Sequence, residues 1–529
     1  MQGRLTNRSA ARAPWIWGAG LLGLLVTACN PSPHFDPLPP TTGSGGSGGE
    51  GGGGGTTSGG GGSGGTPTTS SGGGGTKSGC QSNADCPYPD NLCDVASGEC
   101  VECLVSADCE AKPGTVCSMA SCVCPAAGET FCPADSSVAP RCVDLATTGD
   151  DCGQCGHRCF GACVAGACAD AWEPTAMEGV PSPRAHHVAV WTGSVMIVWG
   201  GSNGNTFLGD GAAYDPAART WTPISDANAP SPRDSAVAVW TGTEMIVWGG
   251  RGPGGALGDG ASYNPATKTW SQLPVGGPSP RYQHAAVWTG TPTNRFFVWG
   301  GYDGTELQTG AYYAGGSWSE FGAASPPPQR RLHTAVWDEA DSRVIMFGGL
   351  GLDPNSGTIT SLGSGGIYGP LAVNENWTEL AQIGAPPAPR YEHSAVWAGS
   401  HMIVWGGFNA ALGVLGDGAR FNVAGNNEWS TMDGVAPSAR RRHSAVYFKG
   451  LSRMVVWGGY GAGGVVLDDG GLFDVNAAAW SPTGLPKGPL PSVDHTAVVA
   501  GNRMIVWGGI SAGGGATNEG AVLDMMKVP

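Results

Sequence analysis

Seven times between residues 190 and 510 the chain returns to a short unbroken apolar run closed by two glycines. Residues 196–201, 245–250, 402–407 and 504–509 all read Met-Ile-Val-Trp-Gly-Gly, and 296–301, 344–349 and 454–459 are close variants. The pairs are Gly200 and Gly201, Gly249 and Gly250, Gly300 and Gly301, Gly348 and Gly349, Gly406 and Gly407, Gly458 and Gly459, and Gly508 and Gly509. Their first members lie 49, 51, 48, 58, 52 and 50 residues apart. Runs that are apolar on consecutive positions predict strands covered on both faces. Four short strands per unit, punctuated by glycine and proline at a period near fifty, predict an all-β propeller rather than a single-core globule.

A full unit opens with Pro-Arg-x-x-His, as at Pro389, Arg390 and His393, and runs through Ala-Val-Trp into the apolar run. A Gly-Asp-Gly-Ala-x-Tyr-Asn/Asp-Pro phrase follows, as in residues 258–265, and a lone tryptophan stands seven residues after the tyrosine. This double glycine with spaced tyrosine and tryptophan resembles the kelch repeat, and the resemblance covers residues 170–529. The glycines permit backbone angles closed to other residues and leave room for an aromatic, with the last-strand tryptophan as the candidate occupant.

One blade cannot bury its own faces, so the ring has to close. Last-strand tryptophans stand at Trp221, Trp270, Trp318, Trp377, Trp429 and Trp480, and the seventh unit ends before its own. Trp172 lies 49 residues before Trp221, the same spacing as Trp221 to Trp270. The expectation is a seven-bladed propeller whose last blade is completed by the strand around Trp172. The fourth unit departs from the pattern, with Phe347 for tryptophan and an insertion around Gly351–Gly366; the second has Ala236 for histidine and the seventh Ser492 for arginine.

Upstream, composition changes abruptly. All 17 cysteines precede the repeats, which marks separate modules. Residues 1–28 combine Arg4, Arg8 and Arg12 with an apolar stretch too short to span a bilayer, the pattern of an export signal. Val26-Thr27-Ala28-Cys29 resembles a bacterial lipobox, which implies acylation of Cys29, a membrane anchor through it, and a place in the cell envelope, at the outer membrane or surface rather than the inner membrane. Residues 29–79 are mostly Gly, Ser and Thr and cannot bury apolar area, so a disordered linker of about 35 Å reach is expected. Residues 80–169 hold Cys80, Cys86, Cys93, Cys100, Cys103, Cys109, Cys117, Cys122, Cys124, Cys132, Cys142, Cys152, Cys155, Cys159, Cys163 and Cys168. An even number of cysteines behind an export signal reads as a disulfide-rich domain, its connectivity open. Metal binding by Cys152, Cys155, His157 and Cys159 is the alternative for its end, whose Cys-Gly-x-Cys-Gly phrase resembles units of secreted bacterial proteins.

A formal charge of −15 with 27 basic residues excludes a general nucleic-acid binder. The Pro-Arg-x-x-His phrase sets Arg184, Arg233, Arg281, Arg330, Arg390 and Arg440 at equivalent places, followed by His187, His284, His333, His393, His443 and His495. In kelch domains such positions border the channel, so the resemblance implies an arginine ring able to grip carboxylates on a protein or polysaccharide. The competing reading is structural for both sets, with the histidines bonding carbonyls between blades. Asp210, Asp259, Asp417 and Asp469 read as turn caps, since one carboxylate per blade makes no calcium cage. No hydrolase, metalloprotease or phosphate-loop motif occurs, and no cofactor is expected. The reading is a monomeric binding module. The alternative is a carbohydrate-active enzyme resembling kelch mutarotases or oxidases, with Glu392 and Asp494 as charged channel residues; the propeller has no cysteine for the oxidase cofactor.

Overall fold

The computed structural model describes residues 170–528 apart from 322–324, 370–375, 424, 426, 483, 487 and 489–490, together with short stretches between 92 and 168. The described chain is all-β, and its only helical pieces are single 3-10 turns at Ala462–Gly464 and Met525–Lys527. Cys29, the signal and linker segments, Cys80, Cys86, Cys103, Cys109, Cys152, Cys155, His157 and Cys159 lie outside the described residues. In the cysteine-bearing part, two-residue to three-residue strands pair as hairpins, setting Cys93 opposite Cys100, Cys117 opposite Cys122 and Cys163 opposite Cys168. Cys124 and Cys142 form a disulfide with Cα atoms 5.5 Å apart. Cys132 and Cys163 are also disulfide-bonded.

The repeats fold as antiparallel sheets. The first consists of Val188–Trp191, Met196–Trp199, Gly211–Asp215 and Thr220–Pro223, in that order. The same order recurs in sheets whose first strands are Val237–Trp240, Ala285–Trp288, Thr334–Asp338, Ser394–Trp397 and Ser444–Phe448. In the sheet that begins at Thr496–Ala500, the strand Gly520–Asp524 pairs with Trp172–Pro174 from the other end of the region, Leu523 opposite Trp172. First strands neighbour one another in succession, and Thr496–Ala500 neighbours both Ser444–Phe448 and Val188–Trp191. The sheets are called first to seventh below, by the position of their first strand in the chain.

Packing explains the apolar run. Met196–Trp199 and its counterparts are buried at every position, because alternate side chains face different neighbouring sheets. Ile197 and Trp199 join a cluster with Met245 and Val247 of the second sheet, while Met196 and Val198 join one with Ile505 and Trp507 of the seventh. Aromatic pairs stitch the interfaces: the last-strand tryptophan of one sheet lies against the second-strand aromatic of the sheet before. The ring centroids are 5.5 Å apart for Trp270 and Trp199, 5.0 Å for Trp429 and Phe347, and 4.5 Å for Trp172 and Trp457.

The first glycine of each pair serves a different aromatic from the tryptophan expected there. A Cβ on Gly300 would stand 2.6 Å from Cε1 of His333 in the next sheet, and one on Gly508 would stand 2.7 Å from that of His187. Gly200 is the exception that identifies the cause. The next sheet has Ala236 in place of histidine, and a Cβ on Gly200 would meet only backbone, nearest at 3.0 Å.

Candidate functional site at the channel mouth

The six repeat arginines do not form a ligand-gripping rim. Arg184, Arg233, Arg281, Arg330, Arg390 and Arg440 are all 0 % exposed. Arg184 donates from Nε to Ser182 O (3.0 Å) and from Nη1 to Gly200 O and Asp210 O (3.1 and 3.0 Å). Its Nη2 donates to Ser182 Oγ and Asp210 Oδ2 (2.9 and 3.1 Å), so all five N–H groups are used. Arg233 and Arg440 repeat this with Asp259 and Asp469, and Arg390 takes both carboxylate oxygens of Asp417. Each arginine therefore ties together three loops at one end of its own sheet. The same contacts correct the reading of Asp210, Asp259, Asp417 and Asp469, whose oxygens are arginine partners.

Four of the six histidines bridge sheets through hydroxyls. His187 Nε2 meets Thr496 Oγ1 at 2.8 Å, His393 meets Thr334 Oγ1 at 2.8 Å, His443 meets Ser394 Oγ at 2.8 Å and His495 meets Ser444 Oγ at 2.9 Å. Burial pulls their imidazoles down, to about 3 for His284 and His393 and about 4 for His495, so they are neutral. In the seventh sheet Ser492 replaces arginine and its Oγ reaches His495 Nδ1 at 3.2 Å.

Between the arginine and the histidine positions of each unit stand two residues, of which the first is buried in three units, as Ala185, Asp234 and Val493. The second of each pair adopts a left-handed backbone: His186, Ser235, Gln283, Leu332, Glu392, Arg442 and Asp494 have φ between 52° and 56°. Such angles cost a non-glycine residue free energy and persist only where surrounding bonds enforce them. Here they do, because backbone N–H groups donate from sheet to sheet around the mouth. His186 bonds Asp494, Ser235 bonds His186, Leu332 bonds Gln283, Glu392 bonds Leu332, Arg442 bonds Glu392 and Asp494 bonds Arg442.

This belt carries side chains that do not repeat. On one arc, Arg442 pairs with Asp494 (Nε to Oδ1 2.7 Å), His186 Nε2 lies 3.7 Å from Asp494 Oδ2, and Arg441 Nη1 donates to Glu392 Oε2 at 3.0 Å. Burial pushes the Glu392 carboxyl up, against the opposing pull of Arg442 and Arg441. Just outside, arginines stack on rings: Arg331 is 4.1 Å from the Tyr302 centroid, Arg441 4.8 Å from Phe408, and Arg251 5.5 Å from Phe207. Glu392 and Asp494 thus lie on one arc, each with its own arginine, beside His186 and the rim aromatics, which the sequence analysis did not single out. For His186, Arg441 and Arg442 the signal was available: they are positions that vary inside an otherwise constant phrase.

Inward of the mouth, a cavity of about 480 Å³ runs between the first strands of six sheets. Its wall is Ala, Val, Trp and Tyr only, with Trp191, Trp240, Trp337, Trp397 and Tyr447 at equivalent positions. The wall of that cavity presents no carboxylate, imidazole or thiol. Among the described residues the one grouping with metal-ligand spacing is Cys124, Glu129 and Cys142, and its two sulfurs are joined to each other.

Comparison with known proteins agrees with this architecture. The chain is 27 % identical over 164 residues to acyl-CoA-binding domain-containing protein 4 of Arabidopsis thaliana, covering 30 % of this chain and 23 % of that one. It is 30 % identical over 200 residues to human host cell factor 2, covering 33 % and 24 %. It is 32 % identical over 143 residues to rat kelch domain-containing protein 3, covering 25 % and 35 %. The chain therefore spans about a third or less of the length of each. The model of the KLHDC2/KLHL20/DRC7 kelch-repeats domain matches residues 167–349 and 416–528, more than half of the sequence. With its all-β sheets and its repeat of glycine pairs and tryptophans, this chain belongs to that family of kelch-repeat β-propellers.

Proposed function

We propose that the protein is an interaction module whose seven-bladed propeller, completed by Trp172–Pro174, binds a protein partner through the face that carries the channel mouth; a polysaccharide is the second ligand class. The observation that carries this reading is the division of labour in the repeat. Constant arginines and histidines are used inside the fold, while the variable residues between them and the aromatics of the loops after the glycine pairs build an irregular surface of arginine, tyrosine and phenylalanine. Those residue types dominate binding energy at protein interfaces. Kelch relatives support a scaffold role. Upstream, an export signal, acylated Cys29, a disordered linker over 29–79 and a disulfide-rich segment over 80–169 would hold the propeller away from an envelope membrane.

The test is site-specific photo-crosslinking at Tyr302, Tyr391 and Tyr460 on the mouth face, against Ala266 in an exposed turn between strands. A partner captured at the three tyrosines and not at Ala266 supports the proposal; capture at Ala266 alone refutes it. Anchoring is checked separately, since Cys29→Ser should leave the protein soluble, and continued fractionation with membranes contradicts acylation. The half-buried, upshifted Glu392 beside Arg441 supports a second reading, a carbohydrate-active enzyme at the mouth. A glycan chemically altered by the wild type and unaltered by Glu392→Gln would favour it.

A further inference from the structure

The fourth sheet keeps its arginine but lacks the acceptors that satisfy it elsewhere. Ser364 stands where the other sheets have Asp210, Asp259, Asp417 or Asp469, and Pro328 stands where Ser182, Ser231, Ser279 or Ser438 accepts from the guanidinium. Arg330 consequently makes four hydrogen bonds. Its Nε donates to Pro328 O (2.9 Å), its Nη1 to Gly348 O (2.9 Å) and Ser364 O (2.7 Å), and its Nη2 to Ser364 Oγ (3.0 Å). It has no carboxylate partner among the described residues, although it is fully buried. Arg281 also lost its aspartate, but Ser279 Oγ and Thr309 Oγ1 both accept from its Nη2, and the charge of Asp303 acts on it. Burial alone acts on Arg330 and pulls it to about 9. An uncompensated buried cation of this kind is costly.

A cavity of about 540 Å³ opens beside it. The two substituted residues, Pro328 and Ser364, are both in its wall, and so is Thr360 of the inserted hairpin Leu350–Asp353 and Thr358–Ser361. That hairpin pairs directly with Arg330–Arg331, so the one large insertion in the repeats builds a cavity whose wall includes Pro328 and Ser364, two of the residues that accept from this arginine. Because Ser364 Oγ accepts from Arg330, its own proton is available to a group in the cavity. Asp353 and Glu379 in the same wall disfavour a strongly anionic ligand.

We propose that this cavity binds a small ligand bearing a single carboxylate and no net negative charge beyond it. The carboxylate accepts from the Ser364 hydroxyl and supplies to Arg330 the countercharge that an aspartate supplies in other sheets. The hydroxyls of Thr360 and Thr378 meet the polar remainder.

Calorimetric titration of the full chain with glycylglycine and with its C-terminal amide tests this. The acid should bind saturably and the amide about ten-fold more weakly or not at all. Ser364→Asp places the repeat's own carboxylate in the site, and should abolish binding of the acid while raising the melting temperature. Ser364→Ala removes the donor and should weaken the acid without affecting the amide. Equal binding of acid and amide, absence of saturable binding, or a Ser364→Asp protein that binds the acid as wild type does, would each overturn the proposal. The acid–amide comparison needs only the unaltered chain, so it decides the matter even where a variant does not fold.

Discussion

Two of the buried histidines have no hydroxyl to meet, and supplying one should stabilise the propeller. The position directly after the histidine in one sheet faces the imidazole of the next: Thr334 meets His393, Ser394 meets His443, Ser444 meets His495 and Thr496 meets His187. In the second and third sheets that position is Val237 and Ala285. Accordingly, both ring nitrogens of His284 and of His333 lack a partner among the described residues. Ala285→Ser would set a hydroxyl opposite His333 Nε2 at the 2.8–2.9 Å seen in the four natural pairs. A net hydrogen bond contributes about 0.5–1.5 kcal/mol, so a gain of about 1 kcal/mol is expected. The reverse change, Ser444→Ala, leaves His495 Nε2 buried and unpaired, and should cost about 1–3 kcal/mol. Urea midpoints measure both. A cycle with His333→Ala isolates the pair, because Ala285→Ser should lose its benefit once the imidazole is gone. If Ala285→Ser is neutral or destabilising, or equally beneficial without His333, the hydroxyl–imidazole rule is refuted.

Acid should weaken the fold well before its carboxylates titrate. His284 and His393 have folded values near 3 against an unfolded value near 6.5, so the unfolded chain takes up protons first and stability falls as pH drops below about 6.5. Each contributes a loss of about 2 kcal/mol by pH 5; a urea midpoint unchanged between pH 7.5 and 5 would contradict neutral buried imidazoles. Arg184→Ala should cost about 3–5 kcal/mol by leaving the Asp210 carboxylate and three loop carbonyls without their donor, and a stable variant with weakened ligand binding would instead revive the rim role. Trp172→Ala should cost about 3–5 kcal/mol, since the ring is fully buried against Trp457 and its Nε1 bonds Pro486 O; an unchanged melting temperature would mean that Trp172–Pro174 is dispensable.

The all-β kelch architecture was legible because its determinants are local: turn glycines, unbroken apolar strands and a fixed spacing of aromatics. Direction was harder to read. A repeated arginine announces that every unit needs it, but whether it points at a ligand or at its own loops depends on residues such as Asp210, 26 positions away, which only the fold brings within 3.1 Å. The room made by the glycine pair illustrates the same limit. Sequence shows that something large fits there, and the tryptophan was the natural choice, yet Gly300 admits His333 from another sheet. For the mouth, variation between the arginine and the histidine was visible. The left-handed backbone at Glu392, Arg442 and Asp494, which aims those side chains, was not, because no glycine or asparagine stands there to signal it.

Losses of the arginine–aspartate pair rank by what remains buried, and that ranking separates drift from use. The seventh sheet dropped the cation: Ser492 is neutral, and Glu519, just before the third strand, is exposed, where an unpaired charge costs little. The third sheet dropped the anion but kept two hydroxyl acceptors for Arg281. Only the fourth dropped the anion and one hydroxyl while retaining a fully buried guanidinium, the most expensive of the three arrangements. Replacing Arg330 by a neutral side chain, as at Ser492, would have relieved that cost in one step. Its retention beneath an inserted hairpin is what a site under functional demand looks like, because strain and unmet charge persist where a ligand completes them. The same criterion applied to the mouth gives a complementary answer. There Arg441, Arg442, Glu392 and Asp494 already neutralise one another, so that surface can recognise a partner by shape and aromatic contact without a charge waiting to be met.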